Sequence, residues 1–193
     1  MTVTPAAATA AMGRGPIPMD LIHAVPDLRQ RLDRESSVVL VPTMGNLHSG
    51  HIALVQKARE HGQCVAVSIF VNRLQFEPGG DFDRYPRTLA ADCEKLARAN
   101  CDVVFAPDER EMYPAHQEIV LSPPRVAHTL EGEYRAGHFQ GVVTVVAKLL
   151  NIVRPHAAIF GKKDYQQLMV LRELVVLGAA YLGRTRLIDN LEI

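Results

Sequence analysis

The chain has 193 residues, in which 21 Lys and Arg balance 21 Asp and Glu, so no net charge draws it to nucleic acid or to an anionic membrane. A chain of this length can bury roughly 70% of its unfolded surface in one core, and no stretch is long and apolar enough to cross a bilayer. Cys64, Cys93 and Cys101 are odd in number and lack CxxC or Cys-His spacing, which argues against a disulfide framework or structural zinc and for reduced core thiols in the cytoplasm.

In chain order, residues 1–18 are rich in Ala, Thr, Gly and Pro without a basic start or an unbroken apolar segment, which predicts a mobile tail rather than a signal peptide. Val25 to Leu32 is a short helix with Leu28 and Leu32 on one side. Ser37 to Pro42 is the first strand, continuously apolar from Val38 onward, and is expected to be buried on both faces of a parallel sheet. A helix from His51 to about Glu60 turns Ile52, Val55 and Ala58 inward and stops at Gly62. Cys64 to Val71 is the second strand, followed by a polar loop from Glu77 to Asp83. Leu89, Cys93, Leu96 and Ala97 then form the core stripe of a helix, and Asp102 to Pro107 is the third strand. Asp108 to Phe139 holds several prolines and little periodicity, which predicts an excursion over a site. A helix from Gly141 to Val153, a strand from Ala157 to Phe160 and a helix from about Tyr165 to Val175 complete the pattern. Strands alternating with helices predict an α/β fold over residues 19–176: a doubly wound, Rossmann-like parallel sheet with helices on both faces. Ligands in such a sheet lie beyond the carboxyl ends of the strands.

Each motif with chemical content sits at such an end. Pro42-Thr43-Met44-Gly45-Asn46-Leu47-His48-Ser49-Gly50-His51 runs from strand to helix start, where unpaired N–H groups and about half a positive charge favour phosphate. A lone His at a helix start is more often a cap or a solvated residue, whereas His-x-Gly-His directly after an apolar strand is a sharper signal. This string resembles the HIGH-motif nucleotidyltransferase superfamily and, within it, the pantothenate synthetase (pantoate–β-alanine ligase) family. A second junction, Phe160-Gly161-Lys162-Lys163-Asp164-Tyr165-Gln166-Gln167, resembles that family's Gly-x-Lys-Asp segment. Asn72 to Phe76, Tyr85 to Thr88, Leu130 to Gly132 and Arg135 to Phe139 also resemble family segments.

The resemblance implies ATP-dependent condensation of pantoate with β-alanine through a pantoyl adenylate, with ATP as co-substrate and Mg2+ as its companion. It implies ATP binding by Thr43, Met44, Gly45, His48, Gly50, His51, Gly161, Lys163 and Asp164, with His51, His48 and Lys163 as the catalytic groups. It implies pantoate and β-alanine binding by Pro42, Met44, Asn72, Gln75 and Gln167, and loop contacts by Arg135 and His138. It leaves the metal ligands unassigned, and it implies a cytoplasmic homodimer acting on small molecules, with no nucleic-acid or membrane partner. Neutral amides suit this substrate, because they hold hydroxyls and a carboxylate without competing as nucleophiles.

Three departures qualify the resemblance. Arg73 replaces the family's proline, so the loop loses a fixed φ angle and gains a cation expected to be mobile. Lys162 stands where the family carries an acid, adding positive charge beside the nucleotide. Past Val175 the family's further sheet strand, Ser-Ser-Arg-Asn segment and C-terminal domain find no match, and residues 177–193 resemble the family's C-terminal end. The expected consequence is family identity with impaired turnover, because closure over an adenylate supplies charge complementarity and excludes water. Two other readings stay open: a different HIGH-loop nucleotidyltransferase acting on a phosphorylated acceptor, and a non-catalytic nucleotide-binding paralogue or fragment.

Overall fold

Runs of β-branched residues without polar alternation have two apolar faces to bury, and a parallel sheet covered by helices on both sides provides for both. The computed structural model, which describes residues 18–178 and 186–188, has this architecture. Its strands are β1 (Asp20–Ile22), β2 (Val38–Thr43), β3 (Cys64–Ile69), β4 (Val103–Phe105), β5 (Ala157–Ile159) and β6 (Arg186–Ile188). They form one six-stranded sheet in the order β1-β4-β3-β2-β5-β6, and every pairing is parallel.

The period-2 alternation divides the core in two. Leu40, Ala66, Phe105 and Ala158 face a layer made by α1 (Val25–Leu32), α6 (His138–Val153) and α7 (Tyr165–Gly178). Val39, Val41, Val65, Val67, Val104 and Ile159 face α2 (Ser49–Arg59) and α3 (Leu89–Arg98). Fully burying each such Val, Leu, Ile or Phe contributes about 1.5–3 kcal/mol. The helices that follow β2 and β5, α2 and α7, lie on opposite faces, so a crevice opens between the carboxyl ends of these two paired strands.

Several boundaries differ from the sequence-based expectation. β1 lies in a stretch with no strand pattern and is held by pairing with β4 at the sheet edge. Leu54 is buried with Val55 and Ala58 on α2, and Ile52 packs against the same core while only partly buried. On α3, Ala97 is exposed and the carboxylate of Asp92 is fully buried. The excursion after β4 carries α4 (Glu109–Met112) and α5 (Glu131–Tyr134) before α6 begins at His138. A sheet strand does follow α7, since β6 pairs with β5. The N-terminal tail through residue 17 and most of the stretch 177–193 lie outside the described residues. Among the described residues no helix is long and apolar enough to cross a membrane.

Candidate active site

The junction after β2 is shaped by a buried acid. Gly45 (φ 82°) and Asn46 (φ 51°) are consecutive left-handed residues, a conformation that points successive N–H groups into one concavity suited to an anion. The anion here is Asp92, which accepts the N–H of Asn46 at 2.9 Å and of Leu47 at 2.8 Å. Its carboxylate also accepts the Thr88 hydroxyl at 2.9 Å, and Lys95 Nζ, 3.9 Å away, donates to the Leu47 carbonyl at 2.6 Å. A carboxylate with no solvent contact is tolerated when its lone pairs are filled in this way. A Cβ at Gly45 would sit 3.2 Å from this carboxylate and 3.1 Å from Ile69, so the turn demands glycine for space as well as for φ.

The turn delivers His48 as N-cap of α2, and the two histidines cap reciprocally. His48 Nδ1 accepts the Gly50 N–H at 3.0 Å, and His51 Nδ1 accepts the His48 N–H at 3.3 Å. A ring nitrogen that accepts a backbone N–H carries no proton, so both imidazoles hold their N–H on Nε2, free to donate. Their ring centroids are 4.1 Å apart. Burial holds His51 below the ordinary histidine pKa, with His48 and Lys163 pushing the same way and Asp92 and Asp164 opposing. It is therefore a neutral donor at pH 7.

The second wall is the β5–α7 junction, where Phe160, Gly161, Lys162, Lys163, Asp164 and Gln167 line the same space. Lys163 and Asp164 are exposed and Lys162 is half-buried. The third wall is a turn after β3, Arg73–Gln75, packed on α6. Gly141 makes that packing possible, because a Cβ there would lie 2.3 Å from the Leu74 carbonyl oxygen. Asn72 Nδ2 donates to the Gly141 carbonyl and to Gln75 Oε1, each at 3.1 Å, while Gln75 Nε2 faces Met44 Sδ at 3.2 Å. Arg73 is not a mobile cation: it pairs with Glu109 at 2.9 Å and lies 3.8 Å above the Phe82 ring.

These walls enclose a cavity of about 740 Å³. Around it the structure gathers Pro42, Thr43, Met44, Gly45, His48, Gly50, His51, Asn72, Gln75, Gly161, Lys163, Asp164 and Gln167. Arg135 and His138 do not line it. Arg135 pairs with Glu131, and His138, buried, places Nδ1 2.9 Å from the Gln75 carbonyl oxygen; both are held by protein partners. Sequence reasoning missed Asp92, Tyr113 and the apolar floor of Val142, Val145 and Val146. The signal for Asp92 was its place on the apolar stripe between Leu89 and Leu96. Asp164 is the single carboxylate among the lining residues, and the described residues contain no group of three metal-ligating side chains.

Residues 20–177 match the family model described as pantoate-beta-alanine ligase. The pantothenate synthetases of Nitrosospira multiformis and Thiobacillus denitrificans are each 57% identical, over 156 and 158 residues, covering 81% of this chain and 56% of the relative. The chain thus spans a little over half the length of these curated relatives. The crystal structure of pantothenate synthetase from Thermus thermophilus superposes with a TM-score of 0.83 at 45% identity, covering 89% of this chain and 61% of that one. A Francisella tularensis pantoate-beta-alanine ligase, crystallised with beta-gamma ATP and beta-alanine, gives a TM-score of 0.83 at 37% identity, covering 89% and 66%. By sequence and by fold, the chain belongs to the pantoate–β-alanine ligase family.

Proposed function

We propose that this chain binds ATP and pantoate in the 740 Å³ cavity and joins pantoate to β-alanine through a pantoyl adenylate. The observation that carries the reading is the meeting of His48, His51 and Lys163 with Gln75 and Gln167 around one space. A pantoate carboxylate oxygen attacks the α-phosphorus and the bond to pyrophosphate breaks. The β-alanine amine then attacks the acyl carbon, AMP leaves, and the amine gives up its proton. Little covalent work falls to the protein; it positions the reactants and stabilises charge. The Nε2–H groups of His48 and His51, the Lys163 ammonium and the N-terminus of α2 suit the transferring and leaving phosphates. The amides of Gln75 and Gln167 suit the hydroxy acid, and Val142, Val145 and Val146 suit its two methyl groups.

The donor set fits Mg2+ as ATP's companion: Mg2+ is usually held by substrate phosphates and one or two carboxylates, and Asp164 is available for this. Bound there it would neutralise triphosphate charge. The reading also places the chain in the cytoplasm, consistent with its three unpaired cysteines, and as a homodimer. The exposed apolar stretch at Ile119, Val120 and Leu121 supports a second copy as partner.

Pyrophosphate and AMP release, measured with ATP, Mg2+, pantoate and β-alanine, tests the reaction. Pyrophosphate formed only when pantoate is present is the expected result. ATP binding with no pyrophosphate release under any of these conditions would leave a nucleotide-binding module and overturn the catalytic reading.

A further inference from the structure

Asn72 is 1% exposed, so its amide atoms need partners inside the protein. The Gly141 carbonyl can only accept, which makes the Asn72 atom 3.1 Å from it the nitrogen. The same nitrogen faces the Gln75 amide, whose nearer atom is therefore the oxygen and whose nitrogen turns toward the cavity beside Met44. The far end of this relay is closed by Tyr113, whose hydroxyl donates to Asn72 Oδ1 at 2.8 Å. Burial raises the Tyr113 phenol well above its ordinary pKa, so it remains a donor through the physiological range. Its ring is fixed by Phe70, with centroids 6.0 Å apart, and by the Lys148 ammonium 4.5 Å over its face. Lys148 is in turn held by Gln117 at 3.0 Å.

We propose that Tyr113 is the positioning residue that, together with the Gly141 carbonyl, sets the polarity of the Asn72–Gln75 amide pair, so that Gln75 offers hydrogen-bond donors only and the substrate must present an acceptor there. This rests on the hydroxy-acid reading above and identifies what selects the acid. Without the hydroxyl, the Asn72 oxygen is buried with no donor. Turning that amide over sets its oxygen against the Gly141 carbonyl, and Gln75 then loses the partner that holds its own oxygen away from the cavity. A Gln75 oxygen facing the cavity repels a carboxylate. Tyr113 lies 41 residues beyond Asn72 in sequence, inside the proline-containing excursion, and reaches the amide pair through this bond while its ring packs on Phe70 of the cavity wall.

Tyr113→Phe removes one oxygen and keeps the ring between Phe70 and Lys148. Side-chain amide NMR of the ligand-free chain reads the relay with no substrate: the variant is expected to shift or double the Asn72 and Gln75 side-chain signals. The amides of the 45–51 loop are expected to stay in place. By calorimetry, pantoate affinity is expected to fall about tenfold with ATP affinity held within about twofold. In a Gln75→Ala background the same substitution should have no further effect on pantoate, a non-additivity that general loosening of the fold would not produce. Unmoved Asn72 and Gln75 signals, or a pantoate loss that persists in full on Gln75→Ala, would overturn the proposal. A parent chain that shows the amide response and binds no pantoate refutes the substrate reading while supporting the relay.

Discussion

At the residue scale, the proposed nucleotide end of the site depends on where two protons sit. His48 and His51 each spend Nδ1 on a backbone N–H, so the cap that starts α2 also fixes both rings as Nε2 donors. His51→Ala removes a cap and a donor together. Loss of one preorganised donor to a transition-state charge costs on the order of 10²–10³ in rate, and pyrophosphate release from ATP and pantoate is expected to slow by that much. A change of only a few-fold would show that His51 does not touch the reacting phosphates. Asp92 acts one step further back. Asp92→Asn puts an NH2 group where the carboxylate accepts the N–H of Asn46, the N–H of Leu47 or the Thr88 hydroxyl. With buried charged hydrogen bonds worth about 1.5–3 kcal/mol each, urea denaturation should show a loss of about 2–4 kcal/mol, and ATP affinity should fall more than pantoate affinity. The histidines were legible because their spacing and their place after an apolar strand both point to phosphate. Asp92 was not, because an acid on an apolar stripe looks the same in sequence whether it interrupts the stripe or is buried with filled lone pairs.

At the element scale, the proposed pantoate end depends on how closely α6 approaches the Arg73–Gln75 turn. Gly141 permits the contact, and a Cβ there would lie 2.3 Å from the Leu74 oxygen and 2.6 Å from the Gln75 nitrogen. These are backbone atoms and cannot swing aside, so Gly141→Ala must push the helix from the turn. Overpacking of this kind costs about 1–3 kcal/mol, occasionally more. The expected outcome is a lower melting temperature with pantoate binding lost before ATP binding, measured by thermal unfolding and by titration of each ligand. The long helices and central strands were readable from period and length. The edge strands β1 and β6, three residues each, were not, because they are held by pairing with β4 and β5 rather than by any pattern of their own. The start of α6 at His138 and the pinning of Arg73 by Glu109 and Phe82 escaped for a similar reason: both are set by contacts distant in sequence.

At the scale of the whole molecule, alternating strands and helices dictate right-handed parallel crossovers, and the crevice between β2 and β5 follows from them. What sequence could not supply is which side chains the crevice desolvates, and that sets the response to pH. Burial holds both His51 and His138 below the ordinary histidine pKa; for His138 the Arg135 charge acts in the same direction, against the Gln75 carbonyl, Glu131 and Asp164. In the unfolded chain both titrate near about 6.5. Above that value both states are neutral and stability is fully present. As pH falls below it the unfolded state takes up protons that the folded state refuses, so stability declines until the folded-state pKa values are passed. Each histidine contributes a slope of at most about 1.4 kcal/mol per pH unit. Urea unfolding between pH 7.5 and pH 5 should therefore show a stability loss confined to the part of that range below about 6.5. His138→Asn keeps a donor at the Nδ1 position for the Gln75 carbonyl but cannot titrate, and it should remove part of the slope while leaving a folded chain at pH 7.5. A profile as steep in His138→Asn as in the parent would show that the buried imidazole beside Gln75 does not govern this response.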